Sequence, residues 1–192
     1  MILFWLKNRV VSPLGKIEEA AREFEEKSRS QKNPDAVTGI RNKNAYDEEV
    51  KKTSWNLEGG NKNFGVAMVD LNFLKRINDT FGHEKGNVAI TGLCRLVCKT
   101  FSHSPVFRIG GDEFVVILKN SDYEEALILV GKFNAEIEKF AANEDLLQWE
   151  KISAAIGYAL YDEKIDSGYD NVFRRADKAM YERKKAMKAV RE

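Results

Sequence analysis

Arg108-Ile-Gly-Gly-Asp-Glu-Phe-Val-Val-Ile-Leu118 sets a glycine pair and two adjacent acids directly against an apolar, strand-like run. A turn uses glycine for its backbone freedom, but it gains nothing from neighbouring carboxylates whose charges repel. A positive partner is therefore expected beside Asp112 and Glu113. With strand-like residues at 106–109, apolar apart from Arg108, and at 114–118, the stretch reads as a hairpin turning at Gly110-Gly111.

Outward from the hairpin, periodicity and breakers define the other elements. Residues 64–71 are apolar until their acid, GVAMVDL, and read as a buried strand. Residues 73–81 and 84–101 read as helices separated by Gly82, and 42–53 as a helix before the strand. Downstream, 123–141 reads as a helix, 152–161 as a strand and 169–191 as a final helix. Strand, helices, hairpin, helix, strand, helix is the order of an α+β layer, a mainly antiparallel central sheet flanked by helices.

The chain has 192 residues, 43% of them hydrophobic, and three prolines. That suffices for one core of roughly 150 residues with an appendage. Its 31 basic and 30 acidic residues nearly cancel, so no global field favours nucleic acid, and neither DNA nor RNA is an expected partner. Cys94 and Cys98 lie four apart in a helical pattern. Zinc would need two further ligands there and a disulfide an unusual geometry, so reduced core thiols are expected.

At the N-terminus, Met1-Ile-Leu-Phe-Trp-Leu6 is followed by Lys7 and Arg9. This is too short for a span of about 20 apolar residues. It has the form of a transmembrane helix leaving the membrane on the cytoplasmic side, although a soluble helix with an apolar start fits the same residues. Leu3, Leu6, Val10, Leu14, Ile17, Ala21 and Phe24 keep a near-heptad spacing disturbed at Pro13. Such a seam fits either a parallel dimerising helix or an amphipathic helix lying on its own domain. A polar stretch ending in Asn33-Pro34 separates this segment, residues 1–31, from a domain over 32–192.

The chemistry gathers around the first strand and the hairpin. Asp70 ends that strand, and Asp112 with Glu113 opens the third, so if the strands are neighbours the three carboxylates converge at one sheet edge. Exposed turn acids are the plainer alternative. Hard oxygen ligands without nearby His or Cys favour magnesium over zinc, with manganese as a substitute, and magnesium keeps places open for phosphate oxygens. Leu71 to Lys75 run from strand end to helix start, where the N–H groups of Phe73, Leu74 and Lys75 can hold phosphate. Lys184 and Lys188, four apart on the last helix, are the cations to aim at phosphate, and Asn78 and Asn87 can meet a base edge or serve as caps.

These residues carry a family resemblance. RIGGDEF resembles the signature hairpin of GGDEF-domain diguanylate cyclases, and DAVTGIRNKNAY from Asp35 resembles that family's opening motif. DLNFLKRINDTFGHEKGN from Asp70 resembles its metal and nucleotide segment, SAAIGYALY from Ser153 its fourth strand, and ADKAMYERKKAMK from Ala176 its closing helix. The likeness runs in order over residues 35–188. It implies a fold related to class III nucleotidyl cyclases and polymerase palms, and the conversion of two GTP into cyclic di-GMP and two pyrophosphates. By position it makes Asp70, the Leu71 carbonyl, Asp112 and Glu113 metal ligands, with Asp112 or Glu113 helping to deprotonate the 3′-hydroxyl. Phe73, Leu74, Lys75, Gly110, Gly111, Lys184 and Lys188 then serve the nucleotide, and Asn78 and Asn87 the guanine. Each domain would hold one substrate, so catalysis implies a homodimer. VVSPLGKIEEAAREF, from Val10, also resembles part of a HAMP signalling helix, which implies a membrane-bound sensor region upstream and a cytoplasmic catalytic domain.

Three positions depart from the family pattern. Asn87 stands where an aspartate is usual; an amide can accept one guanine donor but opposes the next, which opens the site to adenine. The alternatives are therefore a dinucleotide cyclase of relaxed purine specificity or a non-catalytic nucleotide-binding module. Phe101 and Ser104 replace the Arg and Asp of the product-inhibition motif, so feedback there is not expected. Met187 replaces a usual glycine and is expected to alter the packing of the closing helix.

Overall fold

A computed structural model describes residues 34–189, with the side chain of Lys188 outside the description. The heptad segment, the HAMP-like stretch and residues 190–191 of the expected final helix therefore lie outside the described residues. The elements are α1 (Lys43–Glu58), β1 (Gly65–Leu71), α2 (Leu74–Phe81), α3 (His83–Thr100), β2 (Val106–Arg108), β3 (Glu113–Leu118), α4 (Asn120–Glu124), α5 (Ala126–Ala142), β4 (Ala154–Leu160) and α6 (Tyr169–Ala189).

The strands form one sheet in the order β2-β3-β1-β4, every named pair antiparallel. Strand β1 is central and buried along its whole length, which is why its sequence is a continuous apolar run and not an alternation. Alternate residues still face opposite ways. Ala67, Val69, Phe114 and Val116 pack with Leu93, Val97 and Phe133 of α3 and α5. Val66, Met68, Val115 and Ile117 pack with Tyr46 of α1 and with Val172, Ala176 and Met180 of α6. The result is an α+β sandwich with helices on both sheet faces. Helix α6 approaches β4 at Gly157, where an added Cβ would lie 2.0 Å from the Met180 nitrogen. Among the described residues no helix is long and apolar enough to cross a membrane.

Several boundaries differ from expectation. Asn42 caps α1 from outside, its side chain accepting from the Asn44 and Ala45 amides, and the helix runs past Thr53 to Glu58 before Gly59 and Gly60 stop it. Phe64 precedes β1, although its carbonyl accepts from Tyr161 N–H at 3.0 Å. The helix expected over 123–141 is two, α4 and α5, broken at Glu125. Long-range bonding explains the early start: Asp122 accepts the His103 amide at 2.9 Å and holds α4 against the loop between α3 and β2. Ile109 and Asp112 belong to the turn and not to strands, with Ile109 N–H bonded to Glu113 O at 3.0 Å. Cys94 is buried, Cys98 half-buried, and both are free thiols.

Candidate active site

The site grows from the shared end of β1 and β3. Asp70 faces Glu113 across the ladder, and Leu71 N–H donates to the Asp112 carbonyl at 2.9 Å. Because side chains alternate along a strand, Asp70 follows Val66 and Met68 onto the α6 side. There Lys184 donates to Asp70 Oδ1 at 2.5 Å, with Asp70 itself buried. The positive partner expected beside the hairpin acids is thus supplied in part by the last helix.

Glu113 carries the electrostatic signature of the site. Burial, then the charges of Asp112, Asp70 and Asp177, raise its carboxyl above the usual glutamate range, and Lys184 opposes them. Asp177 was not legible as a member of the site. The available signal was its spacing: seven residues before Lys184, it shares that face of α6. Although the strands bring the acids to one edge as expected, no three His, Cys, Asp or Glu side chains among the described residues gather tightly enough to coordinate one ion. Asp70 is turned to the Lys184 ammonium instead.

The glycine pair works differently from the initial expectation. Neither Gly110 nor Gly111 has a positive φ, so the turn does not require left-handed backbone. A Cβ on Gly110 would stand 2.7 Å from Glu113 Oε2, the end of a flexible side chain that would have to shift, whereas a Cβ on Gly111 would meet open space. Arg108 clamps the same turn: Nη1 bonds both Asp35 carboxylate oxygens at 2.9 and 3.0 Å, and Nη2 donates to Gly111 O at 2.8 Å.

Beyond Leu71 the chain turns through Phe73 at φ 64° into α2, whose first turn has no side-chain cap. A non-glycine residue there is strained, and such strain concentrates at binding sites. The amides of Leu74 and Lys75 open this helix, with Phe73 at its N-cap. Asn78 lies against Gly86, where a Cβ would fall 1.9 Å from its Oδ1, so Gly86 makes the notch that admits this side chain. Asn87 follows that glycine, exposed, on an open groove of about 870 Å³ that Val88, Phe140 and Ile152 also line. Asn78 of α2 thus packs against Gly86, the residue before Asn87 on α3, the two helices being joined at Gly82 with φ 84°. Lys184 is part-buried on Asp70, while the side chain of Lys188 is outside the description. Phe101 is 1% exposed in the core and Ser104 bonds the Lys119 backbone, so both positions are structural.

Asn72 was also missed. It is buried, its N–H donates to Ser153 O at 2.7 Å, and its Nδ2 donates to Ser153 Oγ at 3.2 Å and faces Met187 Sδ at 3.8 Å. An asparagine after a strand is ordinary in sequence, and only its burial beside α6 marks it out.

Comparison with known proteins adds to this geometry. The family model described as "Diguanylate cyclase, GGDEF domain" matches residues 32–189. The chain is similar to Diguanylate cyclase DosC of Escherichia coli, 30% identical over 167 residues, covering 82% of this chain and 34% of that one. It is also similar to Diguanylate cyclase A of Treponema denticola, 29% identical over 120 residues, covering 62% of this chain and 32% of that one. It therefore spans about a third of the length of these relatives. A crystal structure of the coiled coil and GGDEF domain of DgcB from Caulobacter crescentus, in complex with c-di-GMP, superposes with a TM-score of 0.69 at 22% identity. That match covers 94% of this chain and 95% of the other, and it shows the shared fold.

Proposed function

The chain belongs to the GGDEF-domain diguanylate cyclase family, and from that premise we propose that it condenses two GTP molecules into cyclic di-GMP with release of two pyrophosphates. The observation that carries this reading is the register of Asp70 with Glu113, with Lys184 drawn onto the same strand end. Carboxylates and a cation meet there at the opening of an uncapped helix, a combination suited to a nucleoside triphosphate.

By their chemistry the donors suit a divalent cation once Asp70 leaves the Lys184 ammonium. Asp70, Asp112, Glu113 and the Leu71 carbonyl are hard oxygens, and the crowding that raises the Glu113 carboxyl is relieved by positive charge. These four groups would hold magnesium, with manganese as a substitute. When bound, the metal supplies charge that stabilises the attacking and leaving oxygens at the α-phosphorus. The remaining work belongs to the chain. Amides of Phe73, Leu74 and Lys75 bind phosphate oxygens, and Lys184 with Lys188 neutralises the triphosphate. Gly110 and Gly111 keep the hairpin tip slim beneath the nucleotide. Asp112 or Glu113 helps to accept the 3′-hydroxyl proton as the α-phosphorus is attacked and pyrophosphate leaves. Because one domain holds one substrate, two copies must face each other, and the segment over 1–31 is assigned to that pairing and to a membrane-bound sensor upstream of a cytoplasmic domain.

Asn87 favours a second reading, relaxed purine specificity, because its exposed carboxamide offers both a donor and an acceptor to the base. Incubating the protein with magnesium and GTP, ATP or both, and identifying products by mass spectrometry, tests both readings. Cyclic di-GMP alone is expected from the first and adenine-containing dinucleotides from the second; nucleotide binding without product would favour a silent binding module. Asn87→Asp is expected to raise the GTP-to-ATP preference by at least about fivefold, in line with one polar contact worth about 1–3 kcal/mol; an unchanged ratio would remove Asn87 from the recognition of the base.

A further inference from the structure

Asn72 sits two positions beyond Asp70, and its backbone prolongs the pairing of β1 with β4 through the 2.7 Å bond to Ser153 O. Its side chain therefore leaves the strand end on the same side as Asp70, toward α6. Two contacts join that helix to this strand end: Lys184 to Asp70 at 2.5 Å and Met187 Sδ to Asn72 Nδ2 at 3.8 Å. Positions 184 and 187 stand about 4.5 Å apart along a helix, and 70 and 72 about 6.7 Å apart along a strand, so the contacts act as adjacent rungs between the two elements. The second rung is soft, because a thioether is a weak acceptor.

The other end of the carboxamide is unexplained by packing. Asn72 is 3% exposed, yet its Oδ1 has no hydrogen-bond partner, an uncommon condition for a buried oxygen. It does not cap α2, whose start has no side-chain cap. The helix that Asn72 meets through Met187 also carries Lys184, which is held by Asp70, a residue the proposed reaction commits to a divalent ion. Once Asp70 is so committed, the Lys184 ammonium needs another acceptor on the strand end.

We propose that Asn72 is a positioning residue for the triphosphate site: it holds the last turns of α6 in register with the end of β1, and its unpartnered Oδ1 receives the Lys184 ammonium when Asp70 turns to a cation. Lys184 is then kept at the phosphate end of the site and not released to solvent. The inference rests on the GTP reading above.

The test uses the whole chain. Steady-state turnover of GTP and calorimetric binding of guanosine 5′-(α,β-methylene)triphosphate, whose α–β link cannot be cleaved, both with magnesium, are compared in the wild type, Asn72→Leu and Asn72→Asp, with the Tm of each variant recorded. Leu keeps the branched shape but removes donor and acceptor, and is expected to raise KM and Kd at least about tenfold with kcat within about threefold. Asp keeps an acceptor and is expected to restore KM to within about threefold of wild type, even if its buried charge lowers Tm. Unchanged KM and Kd in the Leu variant would overturn the inference. So would equal losses of kcat in both variants that follow Tm, the pattern of a purely structural residue. A wild type that binds no GTP overturns the underlying reading itself, whereas a wild type that turns over while both variants behave identically to it overturns only the role of Asn72.

Discussion

The two halves of α6 have opposite characters. In the first, Tyr169, Val172, Ala176 and Met180 are buried on the sheet, and the helix backbone rides against Gly157. In the second, Lys184 reaches down to Asp70 and Met187 meets Asn72, while Tyr181 and Lys185 face outward. One rigid element thus takes its stability from one end and delivers its charge at the other. A lysine has a long, flexible side chain, and the packing a turn or more away fixes where its Cα stands. The comparison separates residues whose loss should unfold the protein from those whose loss should only silence it.

Breaking the first half should have the largest effect. Gly157→Val places side-chain atoms against the Met180 nitrogen and Ala176 carbonyl, and helix backbone cannot step aside as a side chain can. A loss of at least about 3 kcal/mol in chemical denaturation is expected; a loss below about 1 kcal/mol would mean that α6 is not anchored there. Breaking the strand end should do the reverse. Glu113→Gln is expected to lower turnover by about 10²–10³-fold while leaving stability equal or higher, since it removes a carboxylate crowded by Asp112, Asp70 and Asp177. A parallel fall in stability and turnover would erase the division between the halves.

Lys184→Met should sharpen the comparison further, raising KM for GTP by about tenfold, the scale of one charge-assisted phosphate contact, with a shift in denaturation midpoint smaller than that of Gly157→Val. The smallest effect is a pH slope. The folded carboxyl of Glu113 lies above its ordinary value of 4.5, so between those two values the folded state binds more protons than the unfolded one. Its contribution is fully present below 4.5, declines as pH rises through the folded value, and should be absent from Glu113→Gln. Asp35 provides the opposite sign. Burial would raise its carboxyl, but hydrogen bonds from Thr38 and Arg108 and the charge of Arg108 prevail and lower it. Its stabilisation is therefore lost as pH falls, and denaturation of Asp35→Asn against pH should show that acid-side slope flattened.

Much of the site was legible in single residues. Asp70, Glu113 and Lys184 stand together because the motif spacing, the strand pattern and the helix pattern point to one end of the sheet. Asn72 and Asp177 were not legible in the same way. A lone asparagine after a strand or an acid in a charged helix is ordinary in sequence, and only the approach of α6 to β1 makes one buried and turns the other toward Glu113. The break at Glu125 was hidden for a similar reason, since the contact of Asp122 with His103 joins residues 19 apart.

Periodicity and breakers are local, so the sequence by itself determined the α+β class, the burial of β1, the hairpin and the family. Contacts between distant segments are not local, and the tertiary structure alone decided where α4 breaks from α5, that Asn72 is buried and that the Lys184 ammonium rests on Asp70. The physical reason is that backbone preference acts within a few residues, whereas charge and close packing act between whatever surfaces the fold brings together.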